Sequence, residues 1–176
     1  MNTRLWEWWG SISGRWLLFG RWGLQRYDVV LSDLGTGRER ILDSVRGHAP
    51  YAEPGQVDGR YAVWARCPDN LCSIYRYDIR TGLRIRISSP YGEVVYAPSV
   101  AANGDVYYGQ GPGPCGSQVR FMRFRNGKET VVLRLRTGYD FRFSSVARTA
   151  GRTRVLLDGG RCGRGFDVFE VDVEVG

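Results

Sequence analysis

A fixed spacing runs through this chain of 176 residues. Gly14, Gly59 and Gly104 lie 45 apart, and Gly151 follows at 47. Thr36-Gly37, Thr81-Gly82 and Asn126-Gly127 keep the same 45-residue step, as do Asp33 with Asp78 and Tyr51 with Tyr96. One recurring pair can be chance; four families of markers at one spacing denote an internal repeat. A period of about 40 to 50 residues restricts the fold to stacked supersecondary units, none able to bury a core alone. Four units fit within a single domain, at residues 6–50, 51–95, 96–140 and 141–176.

The second unit shows what each repeat contains. YAEPGQV (51–57) reads as a first strand, with Pro54 suited to a strand end rather than a ladder interior. Asp58-Gly59-Arg60 reads as a tight turn in which glycine accepts a positive φ. YAVWAR (61–66) and SIYRYDI (73–79) place β-branched and aromatic residues at alternating positions, as strands do. Arg80-Thr81-Gly82 turns again, and LRIRIS (83–88) supplies a fourth strand. No segment holds a 3.6-residue apolar period over helical length. The expected class is all-β: a β-propeller-like array of four blades, each of up to four antiparallel strands.

At this point the residues resemble the WD-like, TolB-type propeller repeats. The matching pieces are SISGRWLLF, QVDGRYAVW, VAANGDVYY and RTAGRTRVLL, followed by YDVVLSDLGTG, IYRYDIRTG, RFMRFRNG and FDVFEVD. The resemblance spans nearly the whole chain and implies a fold rather than a function, because propellers host many activities. The first-turn glycine persists, but the Ser-Pro-Asp that usually precedes it does not. TolB-type propellers usually close with more blades than four. Two arrangements follow: a closed four-blade ring, with Asn2–Trp6 as the last outer strand, or a partial propeller whose exposed edges call for a partner or a homodimer. Trp6, Trp8 and Trp9 are expected to pack between blades, with an exposed interface patch as the alternative.

The net charge of +7 invites a nucleic-acid reading. The basic residues, all arginine except Lys128, are instead scattered and alternate with apolar ones, as on solvent-facing strands. A nucleic-acid partner is therefore not expected. No apolar run is long enough to span a membrane, and no signal peptide is visible in this chain.

Catalytic motifs are sparse. His48 is the single histidine, which leaves no multi-histidine metal site, and no Gly-x-Ser-x-Gly elbow or phosphate-binding loop occurs. No metal or cofactor is expected. Asp28 with Asp33, and Asp167 with Asp172, repeat a five-residue spacing that sends the two side chains to opposite faces of a strand. Their second members suit turn caps rather than acid–base pairs.

Cys67 and Cys72 bracket a short loop between second and third strands, where opposite hairpin positions lie within disulfide reach. Such a loop is worth about 2 kcal/mol on chain entropy. Cys115 and Cys162 occupy the equivalent loops of the next two units, and a bridge between them would close a larger loop worth about 4 kcal/mol. Paired cysteines indicate an oxidising, extracytoplasmic or secreted setting.

The cysteine-bearing loops and the unit-to-unit linkers fall on one face, opposite the short glycine turns. Variable loops on a rigid scaffold are where binding usually resides. The expectation is a non-enzymatic scaffold that engages a protein, peptide or glycan there, with Trp22, His48, Tyr51, Arg66 and Arg161 as candidate contacts. A propeller accessory module of a hydrolase, or a truncated paralogue without independent activity, is the alternative.

Overall fold

The computed structural model describes residues 5–23, 25–47, 51–68, 72–88, 93–112, 118–149 and 152–173. Among these it contains fifteen strands and no helix. Blade 1 comprises β1 (Trp6–Ser13), β2 (Trp16–Gly23), β3 (Arg26–Asp33) and β4 (Arg38–Arg46). Blade 2 comprises β5 (Tyr51–Asp58), β6 (Tyr61–Cys67), β7 (Ser73–Asp78) and β8 (Arg84–Ser88). Blade 3 follows with β9 (Val94–Val100), β10 (Val106–Gly111), β11 (Arg120–Arg125) and β12 (Lys128–Arg134). Blade 4 has β13 (Tyr139–Thr149), β14 (Arg152–Arg161) and β15 (Phe166–Val173). Every sheet is an antiparallel meander in chain order.

The repeated turn markers do the same work in successive blades. Gly14, Gly59 and Gly104 all take positive φ, at 56°, 57° and 89°, which a side chain would resist. Asp33 accepts the Gly35 N–H at 3.0 Å, and Asp78 accepts the Arg80 N–H at the same distance, so both cap turns. A clasp repeats beside them: Arg15 bonds Asp33, and Arg60 reaches Asp78 at 3.1 Å. In blade 3 Asp105 stands where Arg15 and Arg60 do, and holds Arg125 at 2.8 Å.

Three apolar clusters fill the three junctions between consecutive blades. Leu18, Val29 and Leu31 of blade 1 meet Ala62 and Trp64 of β6. The alternate residues of β6, Tyr61, Val63 and Ala65, turn the other way onto Val106 and Tyr108 of blade 3. Tyr107 and Phe121 then meet Phe141, Val155 and Leu157 of blade 4. A strand covered on both faces has no solvent side, which is why β6 is nearly continuous in apolar residues.

Innermost strands pack in sequence, β1 on β5, β5 on β9 and β9 on β13, and among the described residues no comparable packing joins β13 to β1. Ile12 and Ile41 on the outer face of blade 1 remain exposed, as do Leu156 and Val168 on the outer face of blade 4. Among the described residues the outer faces of blades 1 and 4 are therefore uncovered. The N-terminal expectation needs correcting. Leu5 lies against Gly23 and Trp6 opens β1, so these two lie along the innermost strand of blade 1 rather than an outer strand of blade 4, while residues 2–4 lie outside the described residues. Trp6 is 72% exposed instead of packed between blades, because it flanks the free side of that strand. Trp8 packs within blade 1 rather than between blades, edge-on to Tyr27 at 5.8 Å.

Candidate functional site

Each innermost strand carries a β-bulge against its neighbour: between Trp8 and Ser11, between Pro54 and Val57, opposite Tyr107/Gly109 in β9, and between Phe141 and Phe143. A bulge bends the strand and re-aims its side chains. Ala97, inside the β9 irregularity, takes φ 50°, and Gly55 in β5 approaches the Pro98 carbonyl so closely that a Cβ would lie 2.2 Å from its oxygen. The four bent strands enclose an axial cavity of about 390 Å³, to which every blade contributes: Gly10 and Ser11, Glu53 to Gln56, Ala97 and Pro98, Ser144 and Ser145.

Side chains standing in for backbone groups hold these walls. The Val57 N–H donates to Ser11 Oγ at 3.0 Å, and the Gly59 N–H to Ser13 Oγ at 3.1 Å, joining blades 1 and 2. Ser144 Oγ lies 2.7 Å from both the Ala97 carbonyl and Ser99 Oγ, joining blades 3 and 4. Gln56 spans the axis: its Nε2 donates to the Val146 carbonyl at 2.8 Å, and its Oε1 accepts the Val146 N–H at 2.9 Å.

Glu53 differs from these groups. It has neither a hydrogen bond nor an ion pair among the described residues, and burial pushes its carboxyl up to about 7. Burial also raises the Tyr51 hydroxyl, with the Glu53 charge adding to the effect. A carboxyl poised near neutrality can donate or accept a hydrogen bond, and a cation placed beside it would draw its pKa back down.

Trp22, Tyr51, Arg66 and Arg161, the described members of the five contact residues expected from the sequence, do not line this cavity. Trp22 stacks on Tyr27 at 5.8 Å, near the loop end of blade 1. Tyr51 opens β5 with its hydroxyl 3.9 Å from Cys72 Sγ. Arg66 is committed to blade packing: its Nη1 donates to buried Asp43 at 2.9 Å, while Trp64 Nε1 donates to the other oxygen at 2.8 Å. Arg161 is exposed at the end of β14, and His48 lies outside the described residues. Cys67 and Cys72 form the expected disulfide. Cys162 is disulfide-bonded too, and Cys115 lies outside the described residues. Among the described residues no group of His, Cys, Asp and Glu is arranged to hold a metal.

Glu53 escaped the sequence reading, although the repeat carried a signal. In 45-residue register it occupies the position of Trp8, Pro98 and Phe143, so a carboxylate there is out of pattern.

Four successive meander sheets around an axial cavity define a TolB-like β-propeller fold. No family model and no curated protein matches the sequence. Solved structures do. TolB from Acinetobacter baumannii is similar at 16% identity and a TM-score of 0.53, over 95% of this chain and 43% of that one. The propeller domain of the Trilobed protease from Pyrococcus furiosus, described as having an open velcro topology, is similar at 12% identity and a TM-score of 0.58, over 99% and 58%. A prolyl endopeptidase gives 10% identity and a TM-score of 0.66, over 97% and 27%. At such identities the likeness shows the fold alone, and the chain spans under two thirds of each of these proteins.

Proposed function

We propose that this chain is a non-catalytic binding module whose axial cavity receives a cationic side chain or free amino end of a protein or peptide partner arriving across the loop face. The observation that carries this reading is Glu53, a half-buried carboxyl without a partner among the described residues, in a cavity that all four blades build. A cation supplies the missing partner and is selected by it. The nearby hydroxyls of Ser11 and Ser144 are engaged on neighbouring strands, which suits a wall better than a nucleophile. A peptide fits better than a glycan, since no aromatic side chain among the described residues lines the cavity. The Cys67–Cys72 disulfide supports an oxidising, extracytoplasmic setting.

Selection of displayed random peptides on the folded protein tests this reading. Peptides rich in Lys, Arg or free amino ends are expected, binding at least about tenfold more weakly to Glu53→Lys, the equivalent of 1.4 kcal/mol. Selected peptides indifferent to Glu53→Lys would sink the proposal. The likeness to a prolyl endopeptidase favours a second reading, an accessory propeller of a hydrolase. A hydrolase segment encoded next to this one in the parent gene, together with Glu53-independent peptides, would favour it.

A further inference from the structure

Gln56 performs a task that usually belongs to backbone. Its side-chain amide donates from Nε2 to the Val146 carbonyl at 2.8 Å and accepts the Val146 N–H on Oε1 at 2.9 Å. Exchanging both bonds with one residue is what an antiparallel strand does at a hydrogen-bonded pair. The Gln56 amide therefore stands where the main chain of a neighbouring strand would stand, on the axial edge of β13.

That edge has room for more than one residue. β13 pairs with β14 on its outer side and with no strand on its axial side among the described residues. Alternate residues of a strand direct their N–H and C=O to the same edge, so Ser144 presents its pair beside that of Val146. The β13–β14 register is regular from Phe143 to Thr149, so no bulge disturbs this alternation. Ser144 and Gln56 both line the axial cavity, and Gln56 is only half-buried, so a ligand in the cavity meets this edge. The long reach is particular to β5. In 45-residue register the place of Gln56 is held by Ser11 and Ala101, whose side chains are too short to cross the axis.

We propose that Gln56 is a placeholder for the main chain of the peptide that the axial cavity receives. An extended segment displaces it, pairs antiparallel with Ser144 and Val146, and sets its cation beside Glu53. The placeholder role rests on the cavity being a peptide site, and adds the way in which the peptide is held. β13 runs from the loop face towards the turn face, so an antiparallel segment entering from the loops leads with its amino end. Main-chain bonds of this kind hold any sequence, which leaves selection to the group beside Glu53.

Nuclear magnetic resonance on the full chain with its disulfides intact tests this role, with the peptide Lys-Thr-Val-Thr-Val-amide as probe. At saturation the Gln56 side-chain amide resonances are expected to move to those of a solvated glutamine, while exchange of the Val146 N–H stays slow. Gln56→Met keeps the size of the side chain and removes both bonds, and is expected to bind the probe about tenfold more tightly. The probe N-methylated at every peptide bond is expected to bind at least about tenfold more weakly. An unmoved Gln56 amide, or Gln56→Met binding no more tightly, overturns the placeholder; if Glu53→Lys still weakens the probe, the cavity remains a peptide site. A probe that does not bind at millimolar concentration, or that binds Glu53→Lys equally well, overturns both.

Discussion

Replacing Glu53 with glutamine isolates the energetic signature of the axial cavity. The carboxyl is raised from 4.5 to about 7 by burial. A raised acid holds its proton longer in the folded state, so its contribution to stability is fully present below pH 4.5 and is lost as pH rises through 7. At 1.36 kcal/mol per unit the whole shift is worth about 3 kcal/mol, of which about 2.5 kcal/mol separates pH 5 from pH 8.5. Urea unfolding at those two pH values reads this directly. The protein is expected to lose about 2.5 kcal/mol more than Glu53→Gln does on going from pH 5 to pH 8.5. The variant is also expected to be the more stable of the two at the upper pH. Parallel stability profiles would refute the reasoning, because they would mean that water or an unseen partner solvates the carboxylate.

Other outcomes follow from particular contacts. Gly55→Ala forces a Cβ to within 2.2 Å of the Pro98 carbonyl and should cost clearly more than Gly37→Ala, where only the φ of 68° resists and about 1 kcal/mol is expected; thermal melts compare them. Asp43→Ala leaves Trp64 Nε1 and Arg66 without their acceptor and should cost about 2–3 kcal/mol, whereas Trp64→Phe should cost less in the same denaturation assay. The Arg15 guanidinium holds Asp33 down at about 2, so its stabilisation is present above pH 3.8 and lost as pH falls towards 2. Acid titration of Arg15→Ala should show a smaller loss over that range, because its Asp33 is held down less. Reducing the Cys67–Cys72 bridge selectively should lower stability by about 2 kcal/mol.

Much of the fold was legible because the repeat is strict wherever turns require it. β5 to β8 fall almost where YAEPGQV, YAVWAR, SIYRYDI and LRIRIS placed them, and the glycine turns adopt the expected left-handed backbone. The axial site was not legible, for a geometric reason. Ala52 and Val57 differ by five residues, an odd number, yet both pack in the cluster around Trp64. The bulge between Pro54 and Val57 inverts the two-residue alternation, and with it any inference about where Glu53 points. The arginines misled in a milder way. Arg15, Arg60, Arg66 and Arg125 alternate like solvent-facing charges, but cross-strand and cross-blade register brings each to a carboxylate. Asp105 takes the place of Arg15 and Arg60 and meets Arg125, which lies off the position of Asp33 and Asp78, so spacing alone could not announce this pair.

Amide chemical-shift mapping of the protein with a selected cationic peptide tests the binding account most directly. Perturbations are predicted at Gly10, Gly55, Ala97 and Ser144 together, one innermost strand from each blade, with smaller changes outward. Perturbations confined to Trp22, Tyr51 and Arg161 on the loops, with the four innermost strands silent, would contradict it.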